Sequence, residues 1–185
     1  MALPGLSSLP AVNEDGADFA ANAIKKAEIY SRHEPGQLVL ADDSGLEVFA
    51  LGGAPGVRSA RYAADRPHPA DATMTADRAN NARLLREMEE FTEADRGARF
   101  VCVLAAAEDG RLLATFEGEM RGEILRAPRG TQGFGYDPLF FIPVLGKTTA
   151  ELSPEQKAAV SHRGRAFDKF LKWLQSAGPQ LLTSK

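Results

Sequence analysis

The chain has 185 residues and a mass of 19.9 kDa, enough for one domain that buries roughly 70% of its unfolded surface. An apolar fraction of 44%, a charged fraction of 25% and a mean hydropathy of -0.25 exclude the disordered and membrane-embedded classes. A net charge of -3 and a pI near 5.7 exclude the broad basic field that draws proteins to nucleic-acid polymers, although a local cluster of cations can still hold a triphosphate.

Residues 1–12 are rich in Pro, Gly and Ser without periodicity, so we expect a flexible arm ahead of one folded domain over 13–185. No basic-then-apolar leader opens the chain, and no apolar run reaches membrane-spanning length. From 18 to 31, Phe19, Ala20, Ala23, Ile24, Ala27 and Tyr30 recur at helical spacing before Pro35-Gly36, which predicts an amphipathic helix. Short strands over 37–41 and 46–50 are expected on either side of an Asp42-Asp43-Ser44-Gly45 turn. A long helix is predicted over 71–91, with Met74, Leu84, Leu85, Met88 and Phe91 buried and Asn80-Asn81 weakening its middle.

Residues 99–107 and 111–116 flank Glu108-Asp109-Gly110, a hairpin signal, and a further strand is expected over 118–125 before a Pro/Gly-rich loop at 127–135. The single cysteine, Cys102, lies inside the first of these runs; it can form neither an internal disulfide nor a cysteine metal cage, and it suits a reducing cytoplasm. Ser153-Pro154-Glu155-Gln156 joins a capping box to proline at the first helical position, which starts a helix for two reasons. Ser161-His162-Arg163-Gly164 interrupts that helix. Beyond it Phe167, Phe170, Leu171 and Leu174 mark the core stripe of a terminal helix ended by Gly178-Pro179, with Trp173 off the stripe. There is no internal repeat, and the elements together predict an α/β fold with a mixed sheet flanked by helices.

Asp42 and Asp43 stand at a strand exit, where α/β folds commonly bind ligands. Two carboxylates there can hold Mg²⁺, which bridges phosphate oxygens and acidifies a water whose proton one carboxylate accepts. Taken alone, the same four residues are more simply a solvated turn with aspartates capping backbone donors. Glu14 alone is a helix-start acid interacting with the macrodipole, and Lys26 and Lys157 alone are solvated helix lysines. Gly52-Gly53-Ala54-Pro55-Gly56 with Ser59-Ala60-Arg61-Tyr62 fits a cleft wall, a dimer contact or a plain turn.

Phe134, Gly135, Tyr136 and Asp137 combine an aromatic face able to stack on a purine with a glycine that permits close backbone approach, although aromatics in such a run also fit a core. His162 and Arg163 sit at the expected helix break, where the Arg163 fork can donate to a carbonyl acceptor of a ligand and disfavours one that presents a donor instead. His33, His68 and His162 lack metal-ligand spacing. The chain holds no G-x-S-x-G elbow and no P-loop, since Gly146-Lys147-Thr148 lacks the preceding glycine.

Three segments, LADDSGLEVFALGGAPGVRSARY at 40–62, GFGYDPLFF at 133–141 and ELSPEQKAAVSHRGRA at 151–166, together resemble one family. It is the Ham1/RdgB-like inosine and xanthosine triphosphate pyrophosphatases, and the resemblance runs from about 12 to 174. It implies a two-lobed, single-domain α/β fold, a homodimer, and Mg²⁺-dependent cleavage of ITP, dITP and XTP to the monophosphate and pyrophosphate, which cleanses the nucleotide pool. It implies Asp43 as proton acceptor and metal ligand, Glu14 and Asp42 as further metal ligands, and Ser44 as a substrate contact. Lys26 and Lys157 are implied at the phosphates, Phe134, Gly135, Tyr136 and Asp137 along base and ribose, and His162 and Arg163 on the base.

The family's usual opening strand with its Ser/Thr-x-Asn-x-x-Lys turn has no counterpart in this sequence, and Ala21 stands where the family places Glu before the Asn matched by Asn22. The alternative expectation is therefore an N-terminally truncated, catalytically impaired nucleotide-binding homologue. A third is a Maf-like enzyme for modified pyrimidines, against which the Ser161-His162-Arg163 segment argues.

Overall fold

The computed structural model describes residue 9 and residues 11–182, with side chains described to 176. The expected flexible arm at 1–12 therefore lies outside the described residues except for Leu9, Ala11 and Val12. Helix α1 (Phe19–Ser31) begins where Asp18 caps it, accepting the Ala21 N–H at 2.8 Å. Its buried stripe of Phe19, Ala23 and Ala27 packs on Val101, Val103, Ala105 and Ala107.

Those four alternate residues belong to β2 (Gly97–Glu108), which lies between β1 (Val39–Val48) and β3 (Arg111–Ile124) in a sheet ordered β1-β2-β3-β4-β5. The sheet is completed by β4 (Phe140–Ile142) on β3 and β5 (Lys147–Thr148) on β4. Every pairing is antiparallel, so the α/β expectation stands while the parallel component of a mixed sheet is not found among the described residues.

Two strand boundaries differ from the sequence reading. The expected turn at Asp42-Asp43-Ser44-Gly45 is the middle of one continuous strand, with these residues opposite Leu104, Val103, Cys102 and Val101. Turn propensity yields here to a ladder against a buried strand and to polar partners waiting on both faces. Gly45 adds a steric reason: a Cβ there would overlap Ser59 Oγ and meet the Gly56 carbonyl at 2.7 Å, so only glycine lets the 56–61 turn lie against β1. Likewise the separate strands expected over 111–116 and 118–125 are one, β3.

Helix α2 (Ala76–Glu87) is shorter than the expected 71–91; Thr75 caps it, and Met74 lies ahead of it, exposed instead of buried. Helix α3 (Pro154–Val160) carries the expected capping box between Ser153 and Gln156. Only Ser161 separates it from α4 (His162–Leu182), which continues through Gly178-Pro179 instead of ending there. The buried stripe of α4 is Ala166 and Phe170 with Trp173 and Leu174 packed beside them, whereas Phe167 and Leu171 are exposed. Trp173 is thus on the stripe, its ring 5.5 Å from Phe116.

The apolar clusters divide the molecule into two lobes. One holds the far part of the β2–β3 hairpin between α1 and α4, and the other gathers Leu46, Leu84, Met88, Phe100, Met120 and Phe140 beneath α2. Arg96 is buried beside the second, donating to the carbonyls of Met88, Ile124 and Leu125. Among the described residues no helix is long and apolar enough to cross a membrane.

Candidate active site

Strand alternation decides the site, because neighbouring residues of β1 face opposite sides of the sheet. Asp43 turns toward α1 and Asp42 toward α4. The two carboxylates therefore face apart, and Asp42 Oδ2 accepts from Arg163 Nε and Nη2, each at 3.1 Å.

On the α1 side, the Lys26 ammonium lies 3.0 Å from Asp43 Oδ1 and 3.0 Å from Glu14 Oε1. Asn22 donates from Nδ2 to Asp43 Oδ2 at 3.2 Å, and its Oδ1 accepts the Gly16 N–H at 2.8 Å, which tethers the segment that carries Glu14. Arg61 Nη2 holds the Glu14 carbonyl at 3.0 Å. Burial pulls the Lys26 pKa down, but the hydrogen bonds it donates to Asp43 and Glu14, with their charges, outweigh it and raise the group above its ordinary value. The point between Glu14 and Asp43 already holds one positive charge.

That donor set could hold a divalent cation that brings its remaining ligands with it. Among the described residues no cluster of three or more His, Cys, Asp or Glu could cage a metal. Mg²⁺ commonly takes one or two carboxylates and completes its shell with waters and phosphate oxygens.

On the α4 side lies a cleft of about 510 Å³ lined by Ser44, Leu46, Phe100, Phe134, Lys157 and His162, among others. The Phe134 ring is 64% exposed there, with Lys157 Nζ 5.0 Å and Arg163 Cζ 5.9 Å from its centroid. Tyr136 and Asp137 also border the cleft, yet their polar atoms are committed to the protein. The Tyr136 hydroxyl donates to the Ser59 carbonyl at 2.9 Å. The Asp137 carboxylate accepts from Lys157, from the Phe134 N–H at 2.9 Å and from Thr149 Oγ1 at 2.9 Å.

His162 opens α4 and is buried, its ring 5.0 Å from that of Phe100 and within 14° of parallel. It sits there because α4 runs directly on β3, where a Cβ at Gly118 would meet the Ala166 nitrogen at 2.6 Å. Burial, then the Arg163 and Lys157 charges, lower its pKa to about 4, so the imidazole is neutral at pH 7. Its Nδ1 is buried without a hydrogen-bond partner among the described residues.

Sequence reasoning placed α2 but missed the polar contacts its side chains make with the site. Asn80 accepts the Ala63 N–H at 2.7 Å and donates to the carbonyls of Ser59 and Ala60, while Asp77 and Asn81 reach the Phe134 loop. Two adjacent asparagines inside a helix were the available signal, since neither favours a helix interior without a tertiary partner.

Residues 2–173 match the model of the Ham1 family. A protein of Acidobacterium capsulatum named dITP/XTP pyrophosphatase is 54% identical over 165 residues, covering 89% of this chain and 80% of that protein. The protein of that name from Thermus thermophilus is 46% identical over 172 residues, covering 93% and 78%. The solved Ham1 protein of Staphylococcus aureus superposes with a TM-score of 0.80 at 42% identity, over 92% of this chain and 83% of that one. With a likeness that spans both lobes and every segment of the site, the chain belongs to the Ham1 family.

Proposed function

We propose that the protein hydrolyses the non-standard purine nucleoside triphosphates dITP, ITP and XTP to the monophosphate and pyrophosphate, removing them from the nucleotide pool. The observation that carries this reading is the pairing of a cation-holding acid couple with an aromatic, donor-bearing cleft on the two faces of one strand at the sheet edge. The names of the similar proteins support dITP and XTP among these substrates.

A substrate crossing β1 at Ser44 reaches both faces. Its base stacks on Phe134, and Arg163, oriented by Asp42, donates to O6 together with the neutral His162. Adenine brings a donor to these donors and is rejected; an unpaired buried polar group makes that discrimination steep. Lys157 and Lys26 meet the phosphates, and Asp43 takes the proton of the water that attacks the α-phosphorus. Glu14 and Asp43 would hold Mg²⁺, which when bound would supply Lewis-acid stabilisation of the phosphate charge and a more acidic attacking water.

The catalytic unit is the domain over 13–185, acting as a homodimer in the cytoplasm. A buried lone thiol suits that compartment, and burial pushes Cys102 up to about 12.

The test is pyrophosphate release from ITP, XTP, dITP, GTP and ATP with Mg²⁺. Asp43→Asn is expected to lower kcat by about 10²-fold or more, as for loss of a general base. Asp42→Asn keeps turnover and loses part of the ITP preference. Equal turnover of ATP and ITP, or an Asp43→Asn enzyme as fast as the parent, would overturn the assignment.

A further inference from the structure

We infer that Asp77 and Asn81 on α2 are positioning residues that aim the purine-stacking face of Phe134. This rests on the reading of Phe134 as the base platform. The two side chains are four residues apart and so share one helix face. They grip a single residue at both of its polar backbone atoms: Asp77 Oδ2 accepts the Gly135 N–H at 2.7 Å, and Asn81 Nδ2 donates to the Gly135 carbonyl at 2.9 Å.

Gly135 has a φ of +59°, and nothing lies within 4 Å of where its Cβ would stand. The glycine is there for its left-handed backbone, not for want of space. A loop that turns so sharply and carries a ring 64% exposed cannot draw its aim from packing of that ring. Its aim comes from the backbone, held at the Phe134 N–H by Asp137 and at Gly135 by α2.

Asn81 Oδ1 is buried without a partner among the described residues. Flipping the amide would turn that oxygen onto the Gly135 carbonyl and lose the one bond the residue makes, so the orientation is dictated by the grip on the loop. A stacking face held rigid in the unbound state loses less conformational entropy on binding, and the gain falls on base affinity instead of on chemistry.

The experiment uses the full chain and four variants. Asp77→Asn keeps an acceptor for the Gly135 N–H, Asp77→Ala removes it, Asn81→Asp removes the donor with little change of volume, and Phe134→Ala removes the platform. Binding of inosine monophosphate and of inorganic tripolyphosphate is measured by calorimetry, and KM and kcat for ITP by pyrophosphate release.

Asp77→Ala and Asn81→Asp are expected to weaken inosine monophosphate about five- to tenfold and to raise KM similarly, a share of what base–aromatic stacking contributes. Tripolyphosphate binding and kcat stay within about twofold, and Asp77→Asn behaves as the parent. Should the two damaging variants weaken both ligands alike, or neither, while Phe134→Ala weakens the nucleotide alone, the positioning role is overturned and the platform stands. A Phe134→Ala protein that binds inosine monophosphate unchanged overturns the platform and the inference with it. If Asp77→Ala fails to fold, Asn81→Asp against Asp77→Asn decides the matter.

Discussion

Asp42 and Asp43 are the same residue type one position apart, and they meet unrelated partners, Arg163 and Lys26, because a strand's side chains alternate. Their chemical identity was legible in the sequence, their separation was not, since that depends on whether the segment is a turn or a strand. His162 carries a similar lesson. Its place in a Ser-His-Arg run marked it as a base contact, but only the structure shows it flat against Phe100 and stripped of water. That burial has a pH signature. The folded pKa is near 4 against an ordinary 6.5, so below pH 6.5 the unfolded chain takes up a proton that the folded chain refuses. The stability that His162 contributes as a neutral ring is complete above 6.5 and is lost as the pH falls through 4, to a total of about 3 kcal/mol. Urea unfolding from pH 7 to pH 4 is expected to show a smaller acid loss for His162→Gln than for the parent. Parallel losses in the two proteins would place the acid sensitivity in other groups.

At the scale of elements, the signals that survived folding were those with two causes. Six apolar residues at helical spacing with the Pro35-Gly36 stop gave α1, and the Ser153 capping box with Pro154 gave α3. Single-cause readings failed more often. Turn propensity alone misjudged Asp42 to Gly45, apolar character alone placed Met74 and Phe167 in the core, and Gly178-Pro179 alone ended α4 too early. Gly45 shows why propensity loses. Its absent side chain is the space into which the 56–61 turn fits, with Ser59 Oγ then accepting the Leu46 N–H at 2.9 Å. Gly45→Ala must displace backbone at Gly56, and a loss of about 2 kcal/mol is expected, in the range of core overpacking. Thermal unfolding measures it. A Gly45→Ala protein as stable as the parent would mean that the 56–61 turn yields at no cost.

For the whole molecule, the three motif-bearing segments are distant in sequence and converge because the β2–β3 hairpin carries a helix on each face and the second lobe at one end. The cleft exists only while the second lobe keeps its place, and Arg96 bears on that. Its guanidinium is 2% exposed and joins the last carbonyl region of α2 to the end of β3, through Met88 at 2.9 Å, Ile124 at 2.6 Å and Leu125 at 3.1 Å. No carboxylate pairs with it among the described residues; burial, reinforced by the Arg126 charge, lowers its pKa without approaching neutrality. A cation held by carbonyls alone is stable only if all of them stay in place, so the residue acts as a rivet between elements instead of as one more surface charge. Arg96→Met keeps the volume and leaves three carbonyls short of a donor, at an expected cost of about 2–4 kcal/mol in global unfolding. Below the unfolding transition the KM for ITP should stay within about twofold of the parent, because no substrate group reaches Arg96 in the proposed pose. Denaturant unfolding and steady-state kinetics on one preparation separate the two effects. A variant of parental stability, or one that loses ITP affinity while fully folded, would show that Arg96 is not a purely architectural residue.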